Sequence, residues 1–152
     1  MKKLFACSLI ALALSLPRTA AKAQFNTFDT HGVVALATNA AVTATVTNTG
    51  RDMFGYTGQD IAVLNWSQSA GTNATLDVRL QSSTALASGY ADVSGAAYDQ
   101  ITNAIPGSSG ILTMRFDPNA ASRYVRVIQT VGGSDSPAFS TSVNFIGRRK
   151  YN

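Results

Sequence analysis

From Thr75 to Gln81 the chain alternates without a break, with Leu76, Val78 and Leu80 on one side and Asp77, Arg79 and Gln81 on the other. A side-chain period of two with one apolar face is the pattern of a half-buried strand. It returns as Leu112, Met114 and Phe116 against Thr113 and Arg115, and as Val125, Val127 and Val131 against Arg126 and Thr130. It returns again as Phe139, Val143 and Phe145 against Ser140, Ser142 and Asn144. Turn-forming residues part the runs, and no helix-period stretch appears beyond residue 23.

Between these runs the chain predicts further short strands. Residues 33–36 and 42–47 read as strands, with Asn48-Thr49-Gly50 as a turn and 51–58 as a loop. Residues 61–67 form a fuller strand holding the only tryptophan, Trp66, whose expected place is the core. Residues 69–73 read as a hairpin connection into the strand at Thr75. Segments 89–93 and 97–101 are two short strands split by Ser94-Gly95, and 106–110 is a loop. After strand 111–116, Asp117-Pro118-Asn119 turns the chain into strand 124–131. The glycine-rich 132–137 then reads as a hairpin before strand 139–146 closes the domain. Seven or eight short strands at close spacing predict an all-β fold, a single antiparallel β-sandwich or jelly-roll-like domain over residues 24–152.

Residues 1–23 stand apart. Lys2 and Lys3 precede an apolar run over 4–16, then Pro17 and the small residues ending Ala21-Lys22-Ala23. A charged start, an apolar run of about 7–15 residues and an A-x-A-like site make a secretory leader, and cleavage would leave Gln24 first. The alternative is a hydrophobic arm retained in an assembly. The run is shorter than the ~20 residues of a spanning helix, and no later segment is long and apolar enough to span as one.

The formal charge of +4 misleads, because Lys2, Lys3, Arg18 and Lys22 all lie in the leader. Every one of the 8 acids is Asp and lies beyond it, so the body is near neutral. That argues against a nucleic-acid binder relying on a general basic field. Glu is absent and Thr, Ser, Ala, Asn and Gly abound, a composition suited to strands and turns. Cys7, the only cysteine, sits in the leader, so the body has no disulfide and must rest on its core or on neighbouring subunits.

Catalytic chemistry finds little to work with. His31 is the only histidine, with no cysteine partner and no carboxylate three or four residues away, and no nucleophile elbow, phosphate loop or dinucleotide fingerprint is present. Asp117 with Asn119, or Asp92 with Asp99, are the pairs a calcium site would draw on, but turn-stabilising Asx side chains account for them better. Asn65-Trp66-Ser67 and Asn73-Ala74-Thr75 match a glycosylation sequon that matters only in a eukaryotic secretory route. The expectation is a non-enzymatic chain with no catalytic residues, no cofactor and no metal.

Three segments stand in this order: Thr75-Leu76-Asp77-Val78-Arg79-Leu80-Gln81, then Gly89-Tyr90-Ala91-Asp92-Val93-Ser94-Gly95-Ala96, then Arg123-Tyr124-Val125-Arg126-Val127 followed by Val131-Gly132-Gly133-Ser134-Asp135-Ser136-Pro137. Together they resemble segments of small structural proteins of tailed bacteriophages, of the head-decoration or capsid-cement kind. The resemblance spans residues 28–147 and implies a β-sandwich on the capsid surface of a virion. Such a protein stabilises contacts between major capsid subunits. The implied partners are the major capsid protein and copies of this chain, with no nucleic acid, and no membrane once any leader is cleaved. The expected contact residues are aromatic and basic: Phe25 and Phe28 in the N-terminal segment, Phe54 and Tyr56 in the loop, and Arg148, Arg149, Lys150 and Tyr151 in the tail. The leader supports a second reading, an exported bacterial β-sandwich in the periplasm or medium. This would be an adhesin- or pilus-like subunit, or a carbohydrate-binding module using Trp66, Tyr90 and Tyr98. A tail or fibre component of the same virion is a third.

Overall fold

Two strands dominate the architecture, because neither breaks where turn residues interrupt its alternation. A computed structural model describes residues 31–150. In order, the strands are β1 (His31–Val42), β2 (Val46–Thr47), β3 (Arg51–Asp52), β4 (Tyr56–Ser83), β5 (Ala91–Ala97), β6 (Ile101–Ala104), β7 (Ser109–Phe116) and β8 (Tyr124–Arg149). All eight join one antiparallel sheet, in which β4 and β8 are 28 and 26 residues long.

The long pair folds this sheet into two layers. Residues 56–68 of β4 pair with 139–149 of β8, and β1 and β7 flank them to give the first layer. Residues 75–83 pair with 124–132, flanked by β2 and β3 on one side and β5 and β6 on the other, to give the second. Leu64, Val143 and Phe145 of the first layer share one buried core with Leu76, Leu80, Val125 and Val127 of the second. Buried Thr141 donates to Gln129 Oε1 at 2.9 Å, tying the two halves of β8 across it. The predicted sandwich is therefore present, built from one folded sheet.

Where the long strands pass between layers, both predicted hairpins are corrected. Residues 69–73 and 132–137 do not reverse the chain. They pair with each other, and the register slips three times between Gln68 and Thr75. Extra residues in one strand bend and twist a ladder without ending it. Gly71 and Gly133 have φ of +88° and +122°, and a Cβ on either would lie 2.4 Å from Pro137 Cα or 2.7 Å from Ala74 Cα. The backbones approach too closely for any side chain. The buried Gln68 amide secures the corner by donating to the carbonyls of Ala70 (2.9 Å) and Gly71 (3.0 Å).

Smaller differences follow from pairing too. The expected strands 33–36 and 42–47 become a continuous β1 with two register slips and a two-residue β2. The expected loop 51–58 contributes β3 and the start of β4. Ser94-Gly95 lies inside β5, and the break falls at 98–100 instead. Trp66 is half-buried and packs on Phe139, centroids 6.2 Å apart, in the core role expected of it.

Candidate interaction surfaces

One end of the sandwich gathers both layers into a single rim. β1 begins there, so the covalent link to residues 1–30 is at this rim, and β8 both starts and ends there. Buried Met53 anchors the turn between β3 and β4: its N–H donates to the Arg123 carbonyl (2.8 Å) and its own carbonyl accepts from Tyr56 N–H (3.0 Å). Lys150 N–H reaches the Gly55 carbonyl at 2.8 Å. With its neighbours fixed, Phe54 is pushed outward and is 57% exposed.

Cations gather around that ring. The Arg123 guanidinium lies 5.5 Å from the Phe54 centroid and 5.1 Å from that of Tyr124, and Lys150 Nζ lies 5.3 Å from Phe54. These distances fall within cation–π range. Asp52 accepts from Arg123 Nη2 (2.6 Å) and Nε (3.0 Å) and from Phe54 N–H (2.9 Å). The Arg123 hydrogen bonds, then that from Phe54, hold its carboxyl below the usual carboxylate range. Asp60 accepts from Arg148 N–H at 2.6 Å. Among the described residues, Arg51, Arg123, Arg148, Arg149 and Lys150 share this region with Asp52, Asp60 and Asp117, so the described part of the rim is net basic.

Five of the expected contact residues, Phe54, Tyr56, Arg148, Arg149 and Lys150, meet here; Phe25, Phe28 and Tyr151 lie outside the described residues. Tyr56 differs from expectation. It is half-buried, edge-on to Phe145 with centroids 5.6 Å apart, and pairs with Arg149 across the ladder. Of the two loop aromatics only Phe54 presents an exposed ring. Asp52 and Arg123 complete the rim, and Arg123 carries no local sequence signal. Asp52 lies two residues before Phe54 and accepts from its N–H, whereas only the β3–β8 pairing brings Arg123 to Phe54.

The two outward sheet faces contrast. On the second layer, Arg126 donates to Gln81 Oε1 from Nε and Nη2 (2.9 and 2.7 Å), Gln81 donates to Asp92 (2.7 Å), and Arg79 pairs with Asp92 (3.2 Å). Arg126 also lies 4.0 Å over the Tyr90 ring. These charges satisfy one another. On the first layer, Val33, Ile146 and Ile61 form a lateral row across β1, β8 and β4, each 42–65% exposed. The next row is Ala35, Asn144, Val63 and Thr113, then Thr38, Ser142, Asn65 and Ile111. Arg115, beside Ile61 on β7, is the one charge within these rows. Sequence reasoning missed this face, although the unbroken apolar run 61–64 signals a strand that is apolar on both sides.

The aromatic platform expected of a sugar binder is corrected. Trp66 turns into the first layer, Tyr98 is buried at the second with its hydroxyl pKa raised by that burial, and Tyr90 lies beneath Arg126. No flat face holds all three. Asp117 accepts from Asn119 N–H at 2.8 Å, the turn read from the sequence. Among the described residues no three of His, Cys, Asp and Glu converge as metal ligands.

No protein-family model matches the chain, and no curated protein matches it. Among solved structures it is similar to that of infectious bursal disease virus, Gx strain, at 12% identity and a TM-score of 0.49. The match covers 80% of this chain and 32% of that one, so the chain spans about a third of that structure's length.

Proposed function

We propose that this chain is a non-enzymatic virion structural protein, a decoration or cement protein on the capsid surface of a tailed bacteriophage that stabilises contacts between major capsid subunits. The rim carries the reading: an exposed Phe54 flanked by Arg123 and Lys150. An aromatic ring with cations around it offers both an anchor for a pocket and a field for an acidic surface. The resemblance of segments 75–81, 89–96 and 123–137 supports the same reading. Many copies, each bound weakly, would hold a shell firmly through multivalency.

The leader-like residues 1–23 favour one competitor, an exported adhesin- or pilus-like β-sandwich. Mass spectrometry of gradient-purified particles, with N-terminal sequencing, separates the two. The expected result is this chain in fixed ratio to the major capsid protein. Recovery only from periplasm or medium, as a chain beginning at Gln24, would overturn the proposal.

A further inference from the structure

We propose that the free edge of β7 pairs with β7 of a second copy, antiparallel, about a two-fold axis through Leu112. The contact lies apart from the rim and goes beyond the capsid reading, because it is a property of the purified chain.

The hydrogen-bond phase of the β4–β7 ladder shows what this edge offers. Gln68 N–H donates to the Ser108 carbonyl at 2.8 Å, and the same register runs without a slip from Ser67 and Ser109 to Asp60 and Phe116. Bonded and non-bonded pairs alternate along an antiparallel ladder. Gly110, Leu112, Met114 and Phe116 therefore turn their backbone groups to β4. Ser109, Ile111, Thr113 and Arg115 turn theirs away, and among the described residues no strand meets them. Four N–H groups and four carbonyls thus stand in a row at the spacing of a strand, a template that another extended backbone completes.

The other edges are blunted. Bulges interrupt β1 and β5, and β2, β3 and β6 are two to four residues long. Bulges and brevity are the usual protections of an edge. β7 has neither, and Arg115 is its only charge. The layer also stops short at this strand. Leu112 and Met114 pack against the core yet stay half-buried, as side chains do where a flanking strand is missing.

The sequence of β7 selects a copy as that strand. Pairing about Leu112 sets Ser109 against Arg115 and Ile111 against Thr113, twice over, so all eight groups bond. Centring one residue to either side leaves Arg115 or Ser109 of each copy opposite a turn residue, Gly107 or Asp117. On the core side Leu112 meets Leu112. Met114 meets Gly110, where a Cβ would lie 3.0 Å from Trp66 Nε1 and the missing side chain leaves room. The two Arg115 residues then lie six positions apart along the strands, about 20 Å, beyond the screening length of about 10 Å at 0.1 M salt. The two first layers become one sheet, β1-β8-β4-β7 continued by β7-β4-β8-β1 of the copy.

Full-length chains carrying Cys7→Ser with either Ile111→Cys or Thr113→Cys test this register, since both added thiols lie on the outward side of β7. Across the axis, position 111 faces position 113 of the copy at a Cα separation of about 5.5 Å, within disulfide reach. Identical positions lie diagonally, about 8–9 Å apart and out of reach. Under mild oxidation a mixture of the two chains should give at least five-fold more disulfide dimer than either alone, rising with concentration. Thr113→Pro removes an N–H that bonds nothing within the monomer, a change an edge strand tolerates. Its circular dichroism should match the wild type, while the dimer seen by sedimentation equilibrium should be lost. No excess in the mixture, or a dimer that survives Thr113→Pro, overturns the proposal. So does a monomeric wild type whose particle binding is lost in Thr113→Pro, which would assign the edge to a strand of the capsid partner. The first two outcomes leave the rim reading untouched, since the rim is read separately through particle binding of Phe54 and Lys150 variants.

Discussion

The Phe145 ring sits edge-on between Tyr56 and Phe116, with centroids 5.6 and 5.7 Å away and interplanar angles of 85° and 88°. Neither neighbour leaves it room to move. A Cβ on Gly147 would fall 2.1 Å from Phe145 Cε1 and 2.3 Å from Cζ. Gly147→Ala should therefore lower stability by about 1–3 kcal/mol, the usual range for overpacking. A urea titration would read it as a lower midpoint at unchanged slope. Gly55→Ala, where an added Cβ meets nothing within 4 Å, is the control and should leave the midpoint almost unmoved. At the rim, the lowered pKa of Asp52 fixes the sign of a pH effect. A carboxyl depressed in the folded state stabilises above the unfolded value of about 3.9, and loses that contribution as pH falls through the folded value. The effect is small, because Asp52 and Arg123 side chains are 42% and 53% exposed and screened by solvent. Melting curves of the wild type and Asp52→Asn between pH 6 and 2 should converge toward the acid end; a gap that widens there would contradict the assignment.

At the scale of elements, the corner joining the layers decides the fold. Gly71 and Gly133 combine positive φ with backbone neighbours that cannot yield, so Gly71→Ala or Gly133→Ala should each cost about 2–4 kcal/mol. Thermal unfolding would show it; a loss under half a kcal/mol would mean that the strands do not cross there as described. The corner also shows what the sequence could and could not reveal. Alternation placed Leu76, Val78, Leu80, Val125, Val127, Phe139, Val143 and Phe145 inside, and all are buried, because a strand's two faces follow from its period alone. Segments 69–73 and 132–137 read as hairpins because a hairpin and a bulged bend both require residues tolerant of positive φ. Only the partner strand tells them apart, and here each segment's partner is the other, some sixty residues away. The rim was legible to the same degree. Phe54, its neighbour Asp52 and Arg148-Arg149-Lys150 stand close in sequence to their places in the rim, whereas Arg123 joins them by pairing at long range.

Among the described residues the molecule presents three unlike surfaces: a charged, internally satisfied sheet face, a largely aliphatic one, and a basic rim with an exposed ring. Under the proposed function the rim is the surface that meets the capsid. Rim binding should weaken as salt rises, since exposed charges are screened beyond about 10 Å at 0.1 M. Replacing Phe54 and Lys150 together by Ala should weaken particle binding at least ten-fold, roughly 1.4 kcal/mol, with melting temperature nearly unchanged. Co-sedimentation with purified particles reads both effects. The most direct measurement is cryo-electron microscopy of those particles. The expected map shows two-layer sandwich density at fixed positions on the shell, with the Phe54–Arg123–Lys150 rim against capsid subunits. Particles without that density, or sandwiches turning this rim to solvent, would contradict it.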